Sequence, residues 1–357
     1  MIPDKIHTIL SLSNSKWQKK DIETLASYFS TLKDDVKCNE WANAILRTIE
    51  IMKKQGVDSN EILAFISKAK NAFIHSSPRS NKQICDMLEE ECILYINIGE
   101  MDKAFQCAKD YLFWAISHIK KTAANNAMGY FSFRTFSKYS LSDIKNETIS
   151  LAHPSVFNDP LDTMFLFSLE CYIKNLSSLP KEKQEFKLML KKATNYIKLR
   201  CFVGNRKDGN EVLISDVSNL MWAHYANGHR GFCVEYTLDD DFFNQNEQDS
   251  LIFIHEIDYQ NQLLLDGNLS IRKMLLQKAA DWSYENEMRL LFFSPNNNNA
   301  YPTLKCPNCI KAIYLGTKCS ELNAEEMRKA IGNKNIPLYR MEVNKKDLTH
   351  LDPVRIG

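Results

Sequence analysis

The spacing of hydrophobic positions divides the chain into two regions that meet at about residue 125. In the first region, apolar residues recur every three or four positions, which is the period of an amphipathic helix. Short polar stretches interrupt this period and delimit the segments. The pattern predicts helices at Asp21–Leu32, Cys38–Gln55, Ser59–Ile74, Asn81–Ile98 and Met101–Thr122. Ser59 and Ser80 are the expected N-caps of two of them, because a serine hydroxyl accepts a bond from an unpaired backbone N–H.

The last two predicted helices, Asn81–Ile98 and Met101–Thr122, resemble one helix–turn–helix unit of a tetratricopeptide-type array. Gly99 stands at the turn, and Ala104 and Ala108 lie one helical turn apart, where small side chains let two helices approach closely. The resemblance implies a solenoid-like interaction or sensor domain over residues 1–125. A plain helical bundle is the alternative that the same pattern allows.

From about residue 126 the segments are short, and alternating β-type patterns mix with helical ones. Strands are predicted at Gly129–Phe136, Thr148–Ala152, Ile197–Val203, Phe232–Tyr236, Leu251–Tyr259, the end of Ser283–Phe293, Ile310–Gly316 and Pro337–Val343. Helices are predicted at Ser140–Asn146, Thr163–Leu176, Lys181–Lys198, from Leu220, at Ile271–Trp282 and at Ser320–Ile331. Ser140 or Ser142 is expected to cap the first of these helices, and Ser320 or Asn323 the last. The mixture predicts an α+β fold and a candidate catalytic domain over residues 126–357.

The overall charge gives no reason to expect binding to nucleic acid or to an anionic membrane, since 45 Lys and Arg balance 44 Asp and Glu. The ten cysteines follow no disulfide framework, and the chain starts with a polar segment where a secretory signal would be apolar. No apolar run approaches the length of a membrane span. We therefore expect a cytoplasmic protein with reduced thiols and no membrane partner.

The most unusual composition lies between Leu220 and Tyr236, where a short helix leads through Asn227-Gly228 into a strand. One tryptophan, two histidines, one tyrosine and one arginine fall within nine residues there. Side chains of these types bury an apolar body and keep a polar tip for a partner. An ordinary helix-to-strand corner, with the tryptophan in the core and the histidines bonded to backbone carbonyls, is the alternative. The candidate site residues of this stretch are Trp222, His224, Tyr225 and His229.

Two further groups of candidate residues come earlier in the second region. Arg134 follows the aromatic Tyr130 on a predicted strand, and a half-buried arginine needs a carboxylate or phosphate partner. An exposed arginine on an edge strand is the alternative. The following loop is rich in turn-forming residues, which bond their own main chain but can also bind a metal or a substrate hydroxyl. Its candidates are Ser155, Asn158, Asp159 and Asp162, of which Asp162 is assigned a structural role.

Glu285 and Glu287 stand at the start of a buried strand and belong to the fourth group. Its other members are Lys278, Trp282, Tyr284 and Arg289. Because alternate residues of an extended segment face opposite ways, one glutamate is expected to enter a cleft while the other is solvated or pairs with Arg289. Strand interiors disfavour glutamate, so Glu287 is assigned a functional role. Cys306 and Cys309 have the spacing of a zinc ligand pair, but only Cys319 follows them, so core thiols are expected and no metal.

In this order the four groups resemble a bacterial family catalogued as domain of unknown function 2971, over about residues 128–320. Its pattern runs from tyrosine-x-x-arginine through Phe-Asn-Asp-Pro-x-Asp, Cys-Phe-Ser and Trp-x-His-Tyr-x-x-x-His-x-Gly to Trp-x-Tyr-Glu-x-Glu-x-Arg. The serine of the third motif is Val203 here, so any role of its hydroxyl is absent. The matching positions are Tyr130, Phe131 and Arg134, Phe157 to Pro160 with Asp162, Cys201 and Phe202, Trp222 to His229 with Gly231, and Trp282 to Arg289.

The layout of an early arginine and a late Glu-x-Glu is similar to that of ADP-ribosyltransferases, in which a split sheet clasps NAD. The resemblance implies that Arg134 anchors the pyrophosphate, that Tyr130 or Tyr225 stacks on nicotinamide, and that His224 bonds ribose hydroxyls. It further implies that Glu287 stabilises the oxocarbenium charge and that Glu285 orients or deprotonates the acceptor.

Three hypotheses of function follow. The first is an NAD-dependent ADP-ribosyltransferase or NAD-cleaving enzyme, of the kind that acts as a bacterial toxin or anti-phage effector. Its acceptor, protein or nucleic acid, is not specified by the sequence, and the helical region would bind a protein partner. The second is a metal-dependent nuclease or hydrolase that uses Asp159, Asp162, Glu235 and Glu287. The third is a non-catalytic interaction protein whose helical array presents a groove.

Overall fold

The computed structural model describes residues 3–12, 18–30, 39–74, 81–120, 129–157, 159, 162, 180–204, 212–247, 249–262 and 270–357. The chain has a mixed α+β fold, with helices in the N-terminal part and a large mixed sheet in the C-terminal part. It divides into two compact units, Met1–His118 with Cys171–Thr194, and Ile119–Glu170 with Asn195–Gly357. The domain boundary predicted near residue 125 stays a prediction, although the helix Lys181–Ala193 clusters with the first unit.

The first unit is built from helices, and the strongly periodic segments form where the sequence predicts them. Its described helices are Asp4–Ser11, Lys19–Ser30, Asn39–Lys54, Ser59–Ile74, Asn81–Asn97, Met101–Lys120 and Lys181–Ala193. The first of these was not predicted. Ser59 is the first residue of its helix and not the cap, because the carboxylate of Asp58 accepts the bond from the Asn60 backbone N–H. The other predicted cap, Ser80, lies outside the described residues.

The helices Asn81–Asn97 and Met101–Lys120 pack as an antiparallel pair. Asn81 donates to the carbonyl of Trp114 at one end of the pair, and the thiol of Cys92 donates to the carbonyl of Ala104 at the other. Ala104 and Ala108 are fully buried, and Gly99 turns the chain with a φ of 81°. This is the helix–turn–helix unit that the sequence predicts, whereas a repeating solenoid stays a prediction.

The second unit is organised around an eight-stranded sheet, with two small two-stranded sheets beside it. From one edge to the other, the large sheet has Leu351–Arg355 (β12), then β11, β10, β4, β1, β3, β8 and, at the far edge, β5, numbered in chain order as follows. The strands are β1 Gly129–Arg134, β2 Thr148–Ser150, β3 Ile197–Val203, β4 Phe232–Thr237, β5 Leu251–Glu256, β6 Asp258–Gln260, β7 Gln277–Ala279, β8 Glu287–Phe293, β9 Thr303–Lys305, β10 Ile310–Leu315, β11 Leu338–Val343 and β12 Leu351–Arg355. Its α-helices are Lys138–Asn146, Asn219–Tyr225, Asp240–Asn246, Ile271–Leu276 and Glu321–Ile331.

The sheet is divided between β1 and β3. Among the residues described, these strands are joined by one registered pair, Phe131 with Val203. Further along β3, Leu199 pairs instead with Ala152, outside the named strands. In contrast, β1 pairs with β4, and β3 with β8, along their whole lengths. The two halves of the sheet therefore separate at this point, and a space opens between them.

Alternate side chains of the strands supply two apolar clusters. The larger cluster contains Tyr130, Phe202 and Leu290, and the smaller contains Phe131 and Val203. Each fully buried large side chain contributes roughly 1.5–3 kcal/mol of hydrophobic stabilisation. Tyr130 and Phe131 are neighbours in the chain but belong to different clusters, because successive side chains of a strand point to opposite faces of the sheet.

The prediction for the segment before β8 is wrong. The predicted helix Ile271–Trp282 ends at Leu276, and Gln277–Ala279 pairs in parallel with β6. A 3₁₀ turn, Ala280–Glu285, then leads to β8. Tertiary pairing with a distant strand decides this segment, which a helical period within the sequence cannot reveal.

Other differences are smaller. Ser137 caps the helix Lys138–Asn146, in place of the predicted Ser140 or Ser142, while Ser320 caps Glu321–Ile331 as predicted. The sequence missed the helix Asp240–Asn246 and the strands β9 and β12. β12 is an edge strand, where a proline such as Pro353 is tolerated. The predicted helix at 163–176 lies outside the described residues. None of the helices described is both long and apolar enough to cross a membrane.

Candidate functional site

A cavity of about 400 Å³ lies where β1 and β3 separate. Aromatic side chains form part of its wall, namely Phe131, Phe133, Phe157 and Tyr225. Charged side chains form another part, namely Asp162, Arg200, Lys278, Glu285 and Glu287. Ligand sites in proteins are typically apolar cavities of this size with a few convergent polar groups. This cavity is therefore the candidate functional site of the second unit.

Lys278 stands at the centre of the charged wall. Its Nζ lies 2.6 Å from Glu285 Oε2, 3.1 Å from Glu287 Oε2 and 3.3 Å from Asp162 Oδ2. The side chain is 4% exposed, and the three carboxylates are buried as well. A buried charge is tolerated only when it is paired and hydrogen-bonded, and each member of this group satisfies that condition.

Arg289 lies on β8, two residues after Glu287, and bonds two of the same carboxylates. Its Nε donates to Glu287 Oε1 at 2.7 Å, and its Nη2 donates to Asp162 Oδ1 at 3.0 Å. Nη1 donates to the carbonyl of Leu275 at 2.8 Å. We call Asp162, Lys278, Glu285, Glu287 and Arg289 the charged network. Three carboxylates against two cations leave the fully ionised network with a net charge of −1.

Both glutamates face the network, so the prediction that they point in opposite directions is wrong. The segment is not extended at this point, because Glu285 ends the 3₁₀ turn and Asn286 has a φ of 43°. A left-handed residue reverses the alternation, and asparagine adopts that conformation more readily than most residues. Glu285 and Glu287 thereby both reach Lys278.

The two glutamates differ in their electrostatic environment. Burial alone would raise the pKa of Glu287, but the Arg289 and Lys278 charges outweigh it and lower that pKa to about 2. For Glu285, burial is the larger effect and raises the pKa despite Lys278 and Tyr225. Burial alone would lower the pKa of Lys278, but the surrounding carboxylates hold it above its ordinary value. Glu287 is thus a fixed negative charge, whereas Glu285 is the carboxyl group that takes up a proton more readily.

The stretch around Tyr225 supplies the cavity with two of its four candidates. Tyr225 donates its hydroxyl proton to Glu285 Oε1 at 2.5 Å. His224 lines the cavity and is exposed, with its ring 6.4 Å from that of Tyr284. Both come from the helix Asn219–Tyr225, which Ser218 caps.

The other two candidates of that stretch do not line the cavity. Trp222 is fully buried and packs edge-on against Phe133, as the alternative of a core tryptophan predicts. The ring of His229 stacks on that of Trp222. The backbone of His229 has a φ of 67° at the turn. Its Nδ1 is buried without a hydrogen bond to any described residue, so the expected bond to a carbonyl is absent at that atom. Burial and Lys318 lower the pKa of His229.

Arg134 and Tyr130 do not line the cavity. Arg134 has the carboxylate partner that its burial requires, since Nη1 lies 2.6 Å from Asp143 Oδ2. β1 is an inner strand of the sheet, so the alternative of an exposed arginine on an edge strand is wrong. Tyr130 is buried in the larger apolar cluster, where desolvation raises its pKa to about 12.

The candidates of the loop after β2 do not all lie at the cavity. Ser155 is exposed and its hydroxyl lies 2.8 Å from His153 Nδ1, outside the cavity lining. Asp159 is buried, and its carbonyl accepts a bond from the backbone N–H of Asp162. Asn158 lies outside the described residues. Of this loop, the cavity contains Phe157 and Asp162.

Sequence reasoning missed the importance of Lys278 and Arg200. Lys278 was noted without a role, although a lysine in a segment that proves to be a strand is a signal for a buried pair. Arg200 lies on β3 and bonds Ser132 on β1, through Nε at 3.2 Å and Nη2 at 2.6 Å. No pattern within the sequence could have shown that these two strands separate there.

The described residues contain no group of three or more His, Cys, Asp or Glu side chains placed to hold a metal ion. Cys306 and Cys309 are buried at a turn, and a hydrogen bond between their thiols raises the pKa of Cys306 and lowers that of Cys309. Cys201 faces the cavity, where burial raises its pKa well above the ordinary value. A thiol held in that way is protonated and a poor nucleophile.

The fold and the cavity thus define a mixed α+β protein with a buried carboxylate–lysine–arginine network at the wall of a ligand-sized pocket. A family model described as "Protein of unknown function (DUF2971)" matches residues 221–290. The match supports the resemblance to that family and covers its last two motifs, from Trp222 to Gly231 and from Trp282 to Arg289. No curated protein and no solved structure matches the chain.

Proposed function

We propose that the second unit binds NAD in this cavity and cleaves the bond between nicotinamide and ribose, releasing ADP-ribose or transferring it to an acceptor. The observation that carries the proposal is the pair of buried glutamates, Glu285 and Glu287, on one wall of the cavity. The network to which they belong has an excess of negative charge. That wall favours a cationic group, and the nicotinamide ring of NAD is one.

The chemistry needs little from the protein beyond that charge. The C–N bond breaks, its electron pair leaves with nicotinamide, and a positive charge develops on the ribose as an oxocarbenium ion. Fixed negative charge in a site with little water stabilises such a transition state. Water or an acceptor nucleophile then forms the new bond to C1 of the ribose and gives up one proton.

Glu287 and Glu285 suit different parts of this reaction. Glu287 is ionised and held by Arg289 and Lys278, so its charge is present before the substrate binds. Glu285 has a raised pKa and can accept the proton of the attacking nucleophile. Lys278 contacts both glutamates and lowers the pKa of each, whereas Arg289 pairs with Glu287 and lowers its pKa further.

The remaining lining fits the uncharged parts of the same ligand. Phe131, Phe133, Phe157 and Tyr225 offer aromatic surface for the flat nicotinamide ring. His224 is exposed at the wall and can bond ribose hydroxyls. The position of the cavity, where the sheet divides, is a further similarity to the split sheet of ADP-ribosyltransferases. This last argument is one of layout and supports the proposal by analogy.

The test is nicotinamide release from NAD by the purified full-length chain. We expect Glu287→Gln and Glu285→Gln each to lower the rate at least about a hundredfold, since one misplaced charge or proton-transfer group costs that much. Glu325→Gln is the matched control and should leave the rate unchanged, because Glu325 is exposed and does not line the cavity.

Release that continues at the same rate in both cavity variants would remove the glutamates from the mechanism. Absence of NAD binding to the wild-type chain would overturn the proposal. Adding a chelator to the assay separates this proposal from a metal-dependent nuclease, because NAD cleavage by the described residues should not depend on a divalent ion.

A further inference from the structure

Arg200 is a cation in the cavity wall for which the described part of the chain provides no counter-ion. Its guanidinium reaches from β3 across the division of the sheet to the hydroxyl of Ser132 on β1. Among the described residues, no carboxylate lies within ion-pair distance of it, and its remaining N–H groups make no hydrogen bond. A buried or half-buried charge without a partner is costly, so the position calls for a ligand.

Asp143, whose negative charge acts on Arg200, is already satisfied by other partners. Asp143 accepts from Arg134 Nη1 at 2.6 Å, from the Ser150 hydroxyl at 2.7 Å and from the Thr148 hydroxyl at 3.0 Å. Burial and the like charge of Arg134 lower the pKa of Arg200 to about 10, which still leaves it protonated near neutral pH. The fold therefore keeps a positive charge here against two unfavourable effects.

We propose that Arg200, held by Ser132, binds a phosphate group of the ligand, so that the cavity recognises an anion at this point and a cation at the charged network. A guanidinium offers a planar donor fork that matches phosphate oxygens. This arrangement suits a ligand with a phosphate or pyrophosphate at one end and a positively charged ring at the other. For NAD, Arg200 takes the pyrophosphate position that the sequence resemblance assigns to Arg134.

The inference rests on the proposed function for the identity of the ligand, and phosphate binding itself can be tested without any cleavage. Inorganic pyrophosphate is titrated into the full-length chain at low salt, and heat of binding is measured for the wild type, Arg200→Gln and Arg200→Lys. Arg230→Gln is the matched control, because Arg230 is exposed and does not line the cavity.

We expect Arg200→Gln to weaken pyrophosphate binding at least about tenfold, the effect of losing charge-assisted hydrogen bonds. Arg200→Lys keeps the charge but loses the fork, so its affinity should fall between the two, and Arg230→Gln should bind like the wild type. If Arg200→Gln does not fold, weaker binding by a folded Arg200→Lys decides the question. Equal affinity in wild type and folded variants, or no binding by the wild type, overturns the inference.

The outcomes also separate the two proposals. Pyrophosphate binding that depends on Arg200, together with no nicotinamide release, would leave a phosphate site and remove the NAD chemistry. Nicotinamide release that is unchanged in Arg200→Gln would leave the NAD chemistry and remove Arg200 from substrate binding.

Discussion

Replacing Lys278 by methionine tests whether the charged network is held together by this one cation. Its Nζ contacts Glu285, Glu287 and Asp162 at 2.6, 3.1 and 3.3 Å from a position that is 4% exposed. Methionine keeps most of the volume but leaves Glu287 and Asp162 with Arg289 as their remaining cation, and Glu285 with the Tyr225 hydroxyl. Breaking a buried ion pair by removing one partner costs about 3–5 kcal/mol. For a unit of about 200 residues this corresponds to a melting temperature lower by roughly 6–20 °C.

The loss should depend on pH, and its sign follows from which groups are left unpaired. Without Lys278, the folded-state pKa of the neighbouring carboxyl groups rises above its unfolded value, as burial already raises the pKa of Glu285. The folded variant then binds more protons than the unfolded chain, so it gains stability as the pH falls toward those raised values. In the wild type, the lowered pKa of Glu287 contributes stability above its unfolded pKa, which is lost as the pH falls toward about 2. The difference between variant and wild type should therefore be smaller at about pH 5 than at about pH 7.5.

Thermal unfolding at these two pH values is the measurement, and hydrogen exchange in Glu287–Phe293 places the effect in the second unit. Lys311→Met is the matched control, because Lys311 is half-exposed and lies 3.0 Å from Glu235. Glu235 keeps the Tyr314 hydroxyl at 2.5 Å as a second partner, so the loss in this control should be the smaller of the two. A Lys278→Met protein that melts with the wild type, or one whose loss is the same at both pH values, would refute the reasoning.

Two further predictions concern the neighbours of the network. In the wild type, the hydrogen bond from the Tyr225 hydroxyl lowers the pKa of Glu285. Tyr225→Phe removes this bond, so the pKa of Glu285 should rise and the acid limb of nicotinamide release should move to higher pH. The control Tyr284→Phe should leave the pH profile in place. An unshifted profile in Tyr225→Phe would argue against Glu285 as the proton acceptor. Asn286→Gly should be tolerated, whereas Asn286→Val should cost about 1–2 kcal/mol in unfolding free energy, because a β-branched residue resists the left-handed conformation. Equal stability of these two variants in chemical denaturation would show that the turn does not need this conformation.

The regular elements were the part of the fold that local patterns determine. Ser59–Ile74 and Ile197–Val203 begin and end where their hydrophobic patterns do, because the helix buries one face and the strand is buried at most of its positions. Gln277–Ala279 shows the limit of the method. It carries no strand signal of its own and becomes a strand by pairing with Asp258–Gln260.

The site was predictable as a set of residue types but not as an arrangement. His224, Tyr225, Glu285 and Glu287 line one cavity, as their chemistry suggests. The directions of Glu285 and Glu287 depend on the backbone dihedral at Asn286, for which the sequence offered only the general tolerance of asparagine for positive φ.

The partners of the two arginines were no easier to infer. Arg134 pairs with Asp143, which follows nine residues later on the next helix, so a local partner was available to satisfy it. Among the described residues Arg200 has no such partner, and it lies where β3 separates from β1, since the neighbouring Leu199 pairs with Ala152. That separation depends on contacts between distant parts of the chain, and the sequence carries no local sign of it.

The extent of the family match bears on which residues of this cavity the proteins of that family can share. Residues 221–290 contain Tyr225, Lys278, Glu285, Glu287 and Arg289, so the match includes nearly all of the charged network. Asp162 and Arg200 lie outside it. A protein that shares the matched segment alone has the means to favour a cationic group, but its anion-binding residue must come from a different strand. We therefore expect members of the family to differ first in the phosphate-bearing part of the ligand that they accept. Measuring pyrophosphate affinity in a relative that lacks an arginine on β3 would test this, and affinity equal to that of this chain would contradict it.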